Sequence, residues 1–348
     1  MRLLLTADPE LPVPPLGYGG IERIIDSLVR QFRHDHEIAL VSHPQSCSPA
    51  HRHYPWPAPQ SRGRRNSLHN SWALYRAVQD FQPDLIHSFS RLQYLLPLLR
   101  GRIPLVMSFQ RLPTAHTVRM AKRLAGDRLQ FTGCSQWLAD YGQSLAGRWQ
   151  GIPNFVDPTA FTFRGQAAPD APLVFLSRIE RIKGAHTAIA AALACGQPLI
   201  LAGNRVHSPE AEQYWQDEIE PWLSHPLIRY VGEVDDAAKN HWLGQARAML
   251  LPIEWDEPFG IVMAEALACG TPVIAFRRGA APEIIRDGID GWLVDSQDDM
   301  VAAIGQLSSL NRAACRQRVE QEFTTQVVAA RYLTLYQNHR QRCREKTA

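Results

Sequence analysis

Short apolar runs alternate with amphipathic stretches of about a dozen residues along the whole chain, and this rhythm limits the fold more than any other feature. A run buried on both faces needs helices on either side, so the pattern predicts parallel sheets built from β-α-β units. In the first half, strands are expected at residues 3–6, 37–42, 85–88, 105–109 and 129–132, with helices at 21–32, 68–80, 114–124 and 136–145. In the second half, strands are expected at 173–176, 199–201, 228–231, 248–251, 273–275 and 292–294, again alternating with helices. A chain of 348 residues exceeds what one hydrophobic core usually supports. The expected architecture is therefore α/β, with two Rossmann-like, doubly wound parallel-sheet domains facing a cleft. The boundary falls where Pro153, Pro158, Pro169 and Pro172 crowd a polar stretch, giving domains at 1–155 and 156–324. Residues 325–348 hold a helix with no strand after it, expected to cap or cross between the domains.

The proportions, 45% hydrophobic and 20% charged, exclude a disordered or fibrous chain. No apolar stretch approaches the roughly 20 residues that span a bilayer, and the run from Met1 to Ala7 is too short for the apolar core of a signal peptide. A cytoplasmic location, or a peripheral one at the inner membrane surface, is expected. Cys47, Cys134, Cys195, Cys269, Cys315 and Cys343 stand singly, as reduced thiols would, without metal-ligand spacing. The net charge of +3 conceals an asymmetry, because residues 1–155 carry 18 Lys and Arg against 10 Asp and Glu. An excess of that size implies an anionic partner for the first domain. Residues 43–65 read as an irregular, proline-rich loop carrying Arg52, Arg62, Arg64, Arg65, Tyr54 and Trp56, suited to an anionic acceptor or a lipid headgroup layer. A nucleic-acid partner is not expected, since no recognition motif accompanies the basic isoelectric point.

The densest chemistry lies in Glu257-Pro258-Phe259-Gly260-Ile261-Val262-Met263-Ala264-Glu265. Pro258 suits the first turn of a helix, and Gly260 lets a ligand approach the backbone. On that reading the carboxylates of Glu257 and Glu265 are separated by roughly 12 Å along a helix axis, with free amides of Phe259, Gly260 and Ile261 beside the first. Sugar, pyrophosphate and ribose fit that layout, and so does an ordinary helix with an acidic start. Ser177-Arg178-Ile179-Glu180-Arg181-Ile182-Lys183 follows the first strand of the second domain, where loops of a doubly wound sheet meet ligands. Arg178 and Lys183 are either diphosphate ligands or solvated loop cations. Gly17-Tyr18-Gly19-Gly20 precedes the first helix and can offer Gly19 and Gly20 amides to a phosphate.

With these motifs, Ala268-Cys269-Gly270-Thr271-Pro272-Val273 and Pro282-Glu283-Ile284, the chain resembles glycosyltransferase family 4, retaining enzymes of GT-B fold, over nearly its whole length. The resemblance implies that Glu257 contacts the transferred sugar, Glu265 holds the ribose, Arg178 and Lys183 bind the pyrophosphate, and Gly19 and Gly20 form the phosphate loop of the first domain. It also implies a metal-independent reaction without a cofactor, in which a nucleotide diphosphate sugar, UDP favoured, donates a hexose-type sugar to a hydroxyl. A glycan or lipid-linked acceptor of the cell envelope follows from the same likeness. Two positions depart from the family pattern. Gln110 stands where many members carry a histidine, and Phe155 follows Asn154 where glycine is usual. His87 and His116 are the histidines near enough in sequence to compensate. The rival readings are a nucleotide-sugar epimerase on the same scaffold and a sugar-nucleotide binding module of weak catalytic power.

Overall fold

The computed structural model describes every residue except Tyr18, Ser61, Arg62, Thr347 and Ala348. Two compact units result, one formed by Met1–Asn154 with Thr325–Ala348 and the other by Phe155–Thr324. Each unit is an α/β structure around a wholly parallel sheet.

The first unit contains strands β1 (Arg2–Thr6), β2 (Glu37–Ser42), β3 (Arg52–Pro55), β4 (Leu85–Ser88), β5 (Leu105–Phe109), β6 (Leu129–Gly133) and β7 (Trp149–Gly151). Their order across the sheet is β3-β2-β1-β4-β5-β6-β7. The second unit contains β8 (Leu173–Leu176), β9 (Leu199–Ala202), β10 (Ile228–Tyr230), β11 (Met249–Leu251), β12 (Val273–Phe276) and β13 (Gly291–Val294), in the order β10-β9-β8-β11-β12-β13. In both sheets the order reverses beside the first strand, between β1 and β4 and between β8 and β11. A crevice opens beyond the strand C-termini at such a switch point. Leu4, Ile86 and Phe131 in the first sheet and Leu173, Phe175 and Leu250 in the second are almost wholly buried, which is why these runs are apolar without alternation. Helices start on side-chain caps where one is present. Ser135 accepts from the Leu138 amide, Asp235 from Ala238 and Ser296 from Asp299.

Three readings change. Residues 43–65 are not a structureless loop, because they contain β3, paired in parallel with β2 from Ala39↔Arg52 to Ser42↔Pro55. Trp56 is 0% exposed and donates through Nε1 to the Ala7 carbonyl at 2.9 Å, so it serves the core rather than a headgroup layer. Arg52 and Tyr54 both hydrogen-bond Asp80. Arg64 and Arg65 open the helix Arg64–Phe81, and Arg62 lies outside the described residues. The proline density concealed an edge strand, since proline is tolerated at an edge.

Edge strand β7 is a second addition, three residues held between Gly142 and Phe131 by the Trp149 ring. The third concerns the helix Thr325–Glu345, which belongs to the first unit. Its Tyr336 hydroxyl lies 2.6 Å from His87 Nδ1, its Arg340 pairs with Asp84 at 2.8 Å, and its His339 Nε2 donates to the Arg128 carbonyl at 2.8 Å. Of the cysteines, Cys134, Cys269 and Cys315 are buried, and none of the six forms a disulfide among the described residues.

Candidate functional site

The loops leaving β8 and β11 meet at the switch point of the second unit. After β8 the chain makes a 3-10 turn over Arg181–Lys183 and enters the helix Ala185–Ala194. Gly184, at φ 77°, lets that turn press against the β11 loop, because a Cβ there would sit 2.0 Å from the Pro252 carbonyl oxygen. The Glu254 amide completes the seam by donating to the Ile182 carbonyl at 2.9 Å. This seam sets Lys183 Nζ 2.7 Å from Glu257 Oε2, with side chains only 9% and 17% exposed. The same oxygen accepts from Trp255 Nε1 at 3.0 Å, and Lys183 also lies 4.8 Å from the centre of the Trp255 ring. Two donors on Oε2 fix the carboxylate's orientation. The Glu257 carbonyl is held by the Ala280 amide from the loop after β12, at 2.9 Å.

The helix that follows runs over Ile261–Ala268, with Gly260 as its N-cap at φ 74°. Pro258 therefore precedes the helix instead of opening it, and helical rise separates only Ile261 from Glu265. Gly260 explains the late start, since a residue in the left-handed region cannot belong to the helix and glycine enters that region without strain. Its missing Cβ also leaves room for Met263 Cε and Glu257 Cγ. Phe259 is buried, at 2% exposure, and the first-turn amides of Ile261 and Val262 have no helical carbonyl behind them. Glu265 lies one turn in, with Oε1 2.5 Å from Lys239 Nζ. Arg178 takes a different partner, Glu180, at 2.7 Å, and its side chain is 45% exposed.

Lys183 and Glu257 thus come together, Glu265 follows one helical turn into the same element, and Arg178 stands on the loop after β8 with its own carboxylate. Two neighbours were not anticipated. Trp255 sits two residues before Glu257, so an aromatic beside the motif was a visible signal. Lys239 lies 26 positions before Glu265 on the helix Asp236–Gln245, and nothing local announces it.

Gly19, Gly20 and Gln110 belong to the first unit. Gly19 caps the helix Gly20–Phe32 with φ 153°, and a Cβ would collide there with the Pro15 ring at 2.7 Å. Gln110 follows β5 and accepts from Asn154 Nδ2 through Oε1 at 2.8 Å. Its Nε2 is buried without a partner among the described residues. His87 does not compensate for Gln110. Both ring nitrogens are engaged, by Tyr336 and by Ser108 at 2.6 Å each, and burial pulls its pKa down to about 3. His116 lies on an exposed part of the helix Ala115–Ala125. Among the described residues no group of three or more His, Cys, Asp or Glu side chains is placed to hold a metal ion.

Residues 170–309 match the family model described as glycosyl transferases group 1, and residues 18–160 match the one described as Glycosyltransferase Family 4. The chain belongs to glycosyltransferase family 4. Among curated relatives of this family-4 chain, a phosphatidyl-myo-inositol mannosyltransferase of Mycobacterium leprae is 33% identical over 117 residues, covering 32% of this chain and 31% of the relative. Matches to the first curated relatives span about a third to a half of their length. The fold likeness is more extensive. Sucrose-phosphate synthase from Thermosynechococcus elongatus superimposes with a TM-score of 0.78 at 20% identity, covering 97% of this chain and 98% of that one. Anabaena HepE, solved in complex with UDP and glucose, gives 0.74 at 19% identity, covering 97% and 100%. The family-4 chain accordingly has the GT-B fold of two parallel-sheet α/β units.

Proposed function

We propose that this chain is a retaining, metal-independent hexosyltransferase that takes a sugar from a nucleotide diphosphate donor, UDP favoured, and passes it to a hydroxyl of a glycan or lipid-linked acceptor. The observation that carries the reading is the Lys183–Glu257 pair at the switch point of the second unit, four residues ahead of the helix that begins at Ile261. Glu257 is held through Oε2 by two donors, which leaves Oε1 as the oxygen for a sugar hydroxyl. The uncompensated amides of Ile261 and Val262 are suited to phosphate oxygens, as helix N-termini are in general. Glu265 accepts the ribose hydroxyls, with Lys239 as the cation it shares or releases. As the bond from sugar to phosphate breaks, negative charge grows on the diphosphate, and Lys183, Arg178 and these amides stabilise it. The leaving phosphate assists deprotonation of the acceptor hydroxyl on the same face of the sugar, so no separate general base is required and Gln110 suffices where a histidine is common. Within the first unit, the Gly19 and Gly20 amides and Gln110 Nε2 are hydrogen-bond donors. HepE, a protein of the same fold, was solved with UDP and glucose, which supports UDP as the first nucleotide to try. The reading places the enzyme in the cytoplasm, at or near the inner membrane surface, where envelope acceptors are assembled.

Incubation with a panel of nucleotide sugars and acceptor glycolipids, followed by NMR of the new anomeric centre, tests the proposal. Transfer with retained configuration is expected. Inversion would overturn the mechanism, conversion of the sugar nucleotide without any acceptor would favour an epimerase, and binding without turnover would favour a binding module.

A further inference from the structure

Strands β6 and β7 of the first unit are entered through Arg128 and Arg148, at the opposite end of the sheet from the loops that carry Gly19 and Gln110. There a cavity of about 290 Å³ is lined by Asp127, Arg128, Arg148, Arg342, Cys343 and Lys346. Neutral oxygens position two of its three guanidinium groups. Arg128 donates to the carbonyls of Ile103 at 2.6 Å and Leu99 at 2.5 Å. Arg342 donates to Gln130 Oε1 at 3.1 Å, and the buried Gln130 in turn donates to the Arg148 carbonyl at 3.1 Å. The Arg148 guanidinium is exposed and has no hydrogen-bond partner among the described residues. The one carboxylate in the lining, Asp127, is already shared by Lys122 at 2.5 Å and by Lys346.

Cations positioned by carbonyl and amide oxygens keep their full charge, and here three guanidinium groups and two ammonium groups share one carboxylate. An anion with several acceptor oxygens balances that arrangement, and planar guanidinium groups match the oxygens of a phosphate. The volume stands at the lower end of small-molecule sites, enough for a phosphate with a small substituent and too little for a nucleotide sugar. Burial and the neighbouring Arg342 and Arg148 hold His339 below the usual histidine range, which agrees with a field of uncompensated positive charge.

We propose that this cavity is a phosphate-binding site, separate from the donor chemistry of the second unit and independent of whether the chain transfers sugar. A free phosphorylated molecule and the phosphate of an anionic lipid headgroup offer the same chemistry, and one experiment separates them. Cys343 lines the cavity and exposed Cys47 lies outside it, so iodoacetamide labelling of both, read by peptide mass spectrometry, reports on occupancy. At ten times its Kd, inorganic phosphate should slow Cys343 alkylation about tenfold while Cys47 reacts unchanged, and potassium chloride of equal ionic strength should have little effect. Arg148→Gln, whose guanidinium has no hydrogen-bond or ion-pair partner among the described residues, should weaken the protection severalfold, and Arg148→Gln with Arg342→Gln should abolish it. Protection by phosphatidylglycerol vesicles but not phosphatidylcholine vesicles, without added phosphate, identifies the lipid source, whereas protection by phosphate alone identifies a soluble one. If neither probe slows Cys343, or if the variants are protected as well as the wild type, the proposal fails.

Discussion

The two switch points occupy the same place in two sheets of the same order, yet they treat charge differently. In the second unit a lysine from the loop after β8 and a glutamate from the loop after β11 form a pair at 2.7 Å, and Glu265 has its own lysine at 2.5 Å. The corresponding loops of the first unit bring together Asp8 and Arg91, whose Nε remains 3.8 Å from the carboxylate. Burial pushes the Asp8 carboxyl up despite Arg91 and Arg111. Glu22, in the first turn after Gly19, is 7% exposed, and burial raises its pKa with Asp8 and Glu10 adding to the shift. Towards the C-terminal ends of β1, β4 and β5 neutral groups pair with one another, Thr6 with Ser88 and Ser90 at 2.8 Å, and His87 with Ser108 at 2.6 Å. The second unit thus pairs Glu257 and Glu265 with lysines, while the first holds Asp8 and Glu22, whose carboxyl pKa values burial raises, and pairs Arg91 more closely with Glu10, at 3.2 Å. Excess positive charge in the first unit therefore gives no warrant for an anion at its switch point, and part of it lines the cavity at the other end of the sheet.

The largest effect should follow from breaking the second unit's pairs separately. Glu257→Ala should lower turnover about 10²- to 10³-fold, on the order of 3 to 4 kcal/mol, with UDP affinity nearly kept. Glu265→Ala should weaken UDP itself about tenfold, since a ribose partner is lost and Lys239 is left without its nearest carboxylate. Calorimetric titration of UDP against both variants separates the roles, and equal losses would show that the two glutamates do one job.

Next in size is the acid response of the first unit. His87 has a folded pKa of about 3 against 6.5 when unfolded, so its burial stabilises fully above pH 6.5 and that stability is lost as pH falls towards 3. Each pH unit in that window costs up to about 1.4 kcal/mol. His87→Gln should be less stable than wild type at pH 8 and should show a flatter fall in Tm from pH 6.5 to 4. A parallel fall in both proteins would assign the acid sensitivity to other groups.

A smaller effect distinguishes the exposed cation of the donor loops from the buried one. Arg178→Lys should cost about tenfold in kcat/KM, because an ammonium cannot reproduce a bidentate contact with phosphate, while Lys183→Arg should be worse, since the Lys183 side chain is only 9% exposed and is held between Trp255 and Glu257. Steady-state kinetics with both variants decides the order. A fully active Arg178→Lys would leave Arg178 as the partner of Glu180 and nothing more.

What could be read before the structure follows from the range of the forces involved. Parallel strands and their sequence announce themselves because burial on both faces forces unbroken apolar runs, so β1, β2, β4, β5, β6 and β8 to β13 were legible to within a residue or two. Strand β3 was not, because an edge strand may carry Pro55 and exposed Arg52 without an apolar signature. Glu257, Glu265 and Lys183 were legible from type and spacing. Their partners were harder to see, since the Lys239–Glu265 pair depends on how one helix packs against another. The start of the helix at Ile261 was misread because Pro258 is a good first-turn residue, whereas the left-handed backbone at Gly260 overrides it.

The smallest predicted effect probes the first unit's switch point most directly. Glu22 is raised above its ordinary pKa of 4.5 by burial, so the folded state binds its proton more tightly than the unfolded state does. Stability from this group therefore falls as pH rises above 4.5, and the charged carboxylate is a net cost to the fold at neutral pH. Glu22→Gln keeps size and a hydrogen-bonding oxygen while removing the charge, and should raise Tm at pH 7.5 by about 1 to 2 °C. Towards pH 3.5 the two proteins should converge, because the carboxyl is then mostly protonated in both states. An opposing force is present, since Glu22 lies in the first helical turn and accepts from its own backbone amide, where a negative charge is favoured by roughly 0.3–1 kcal/mol. If Glu22→Gln lowers Tm at pH 7.5 and this deficit vanishes towards pH 3.5, the helix terminus outweighs burial, and the two switch points would be alike in holding charge that the fold tolerates.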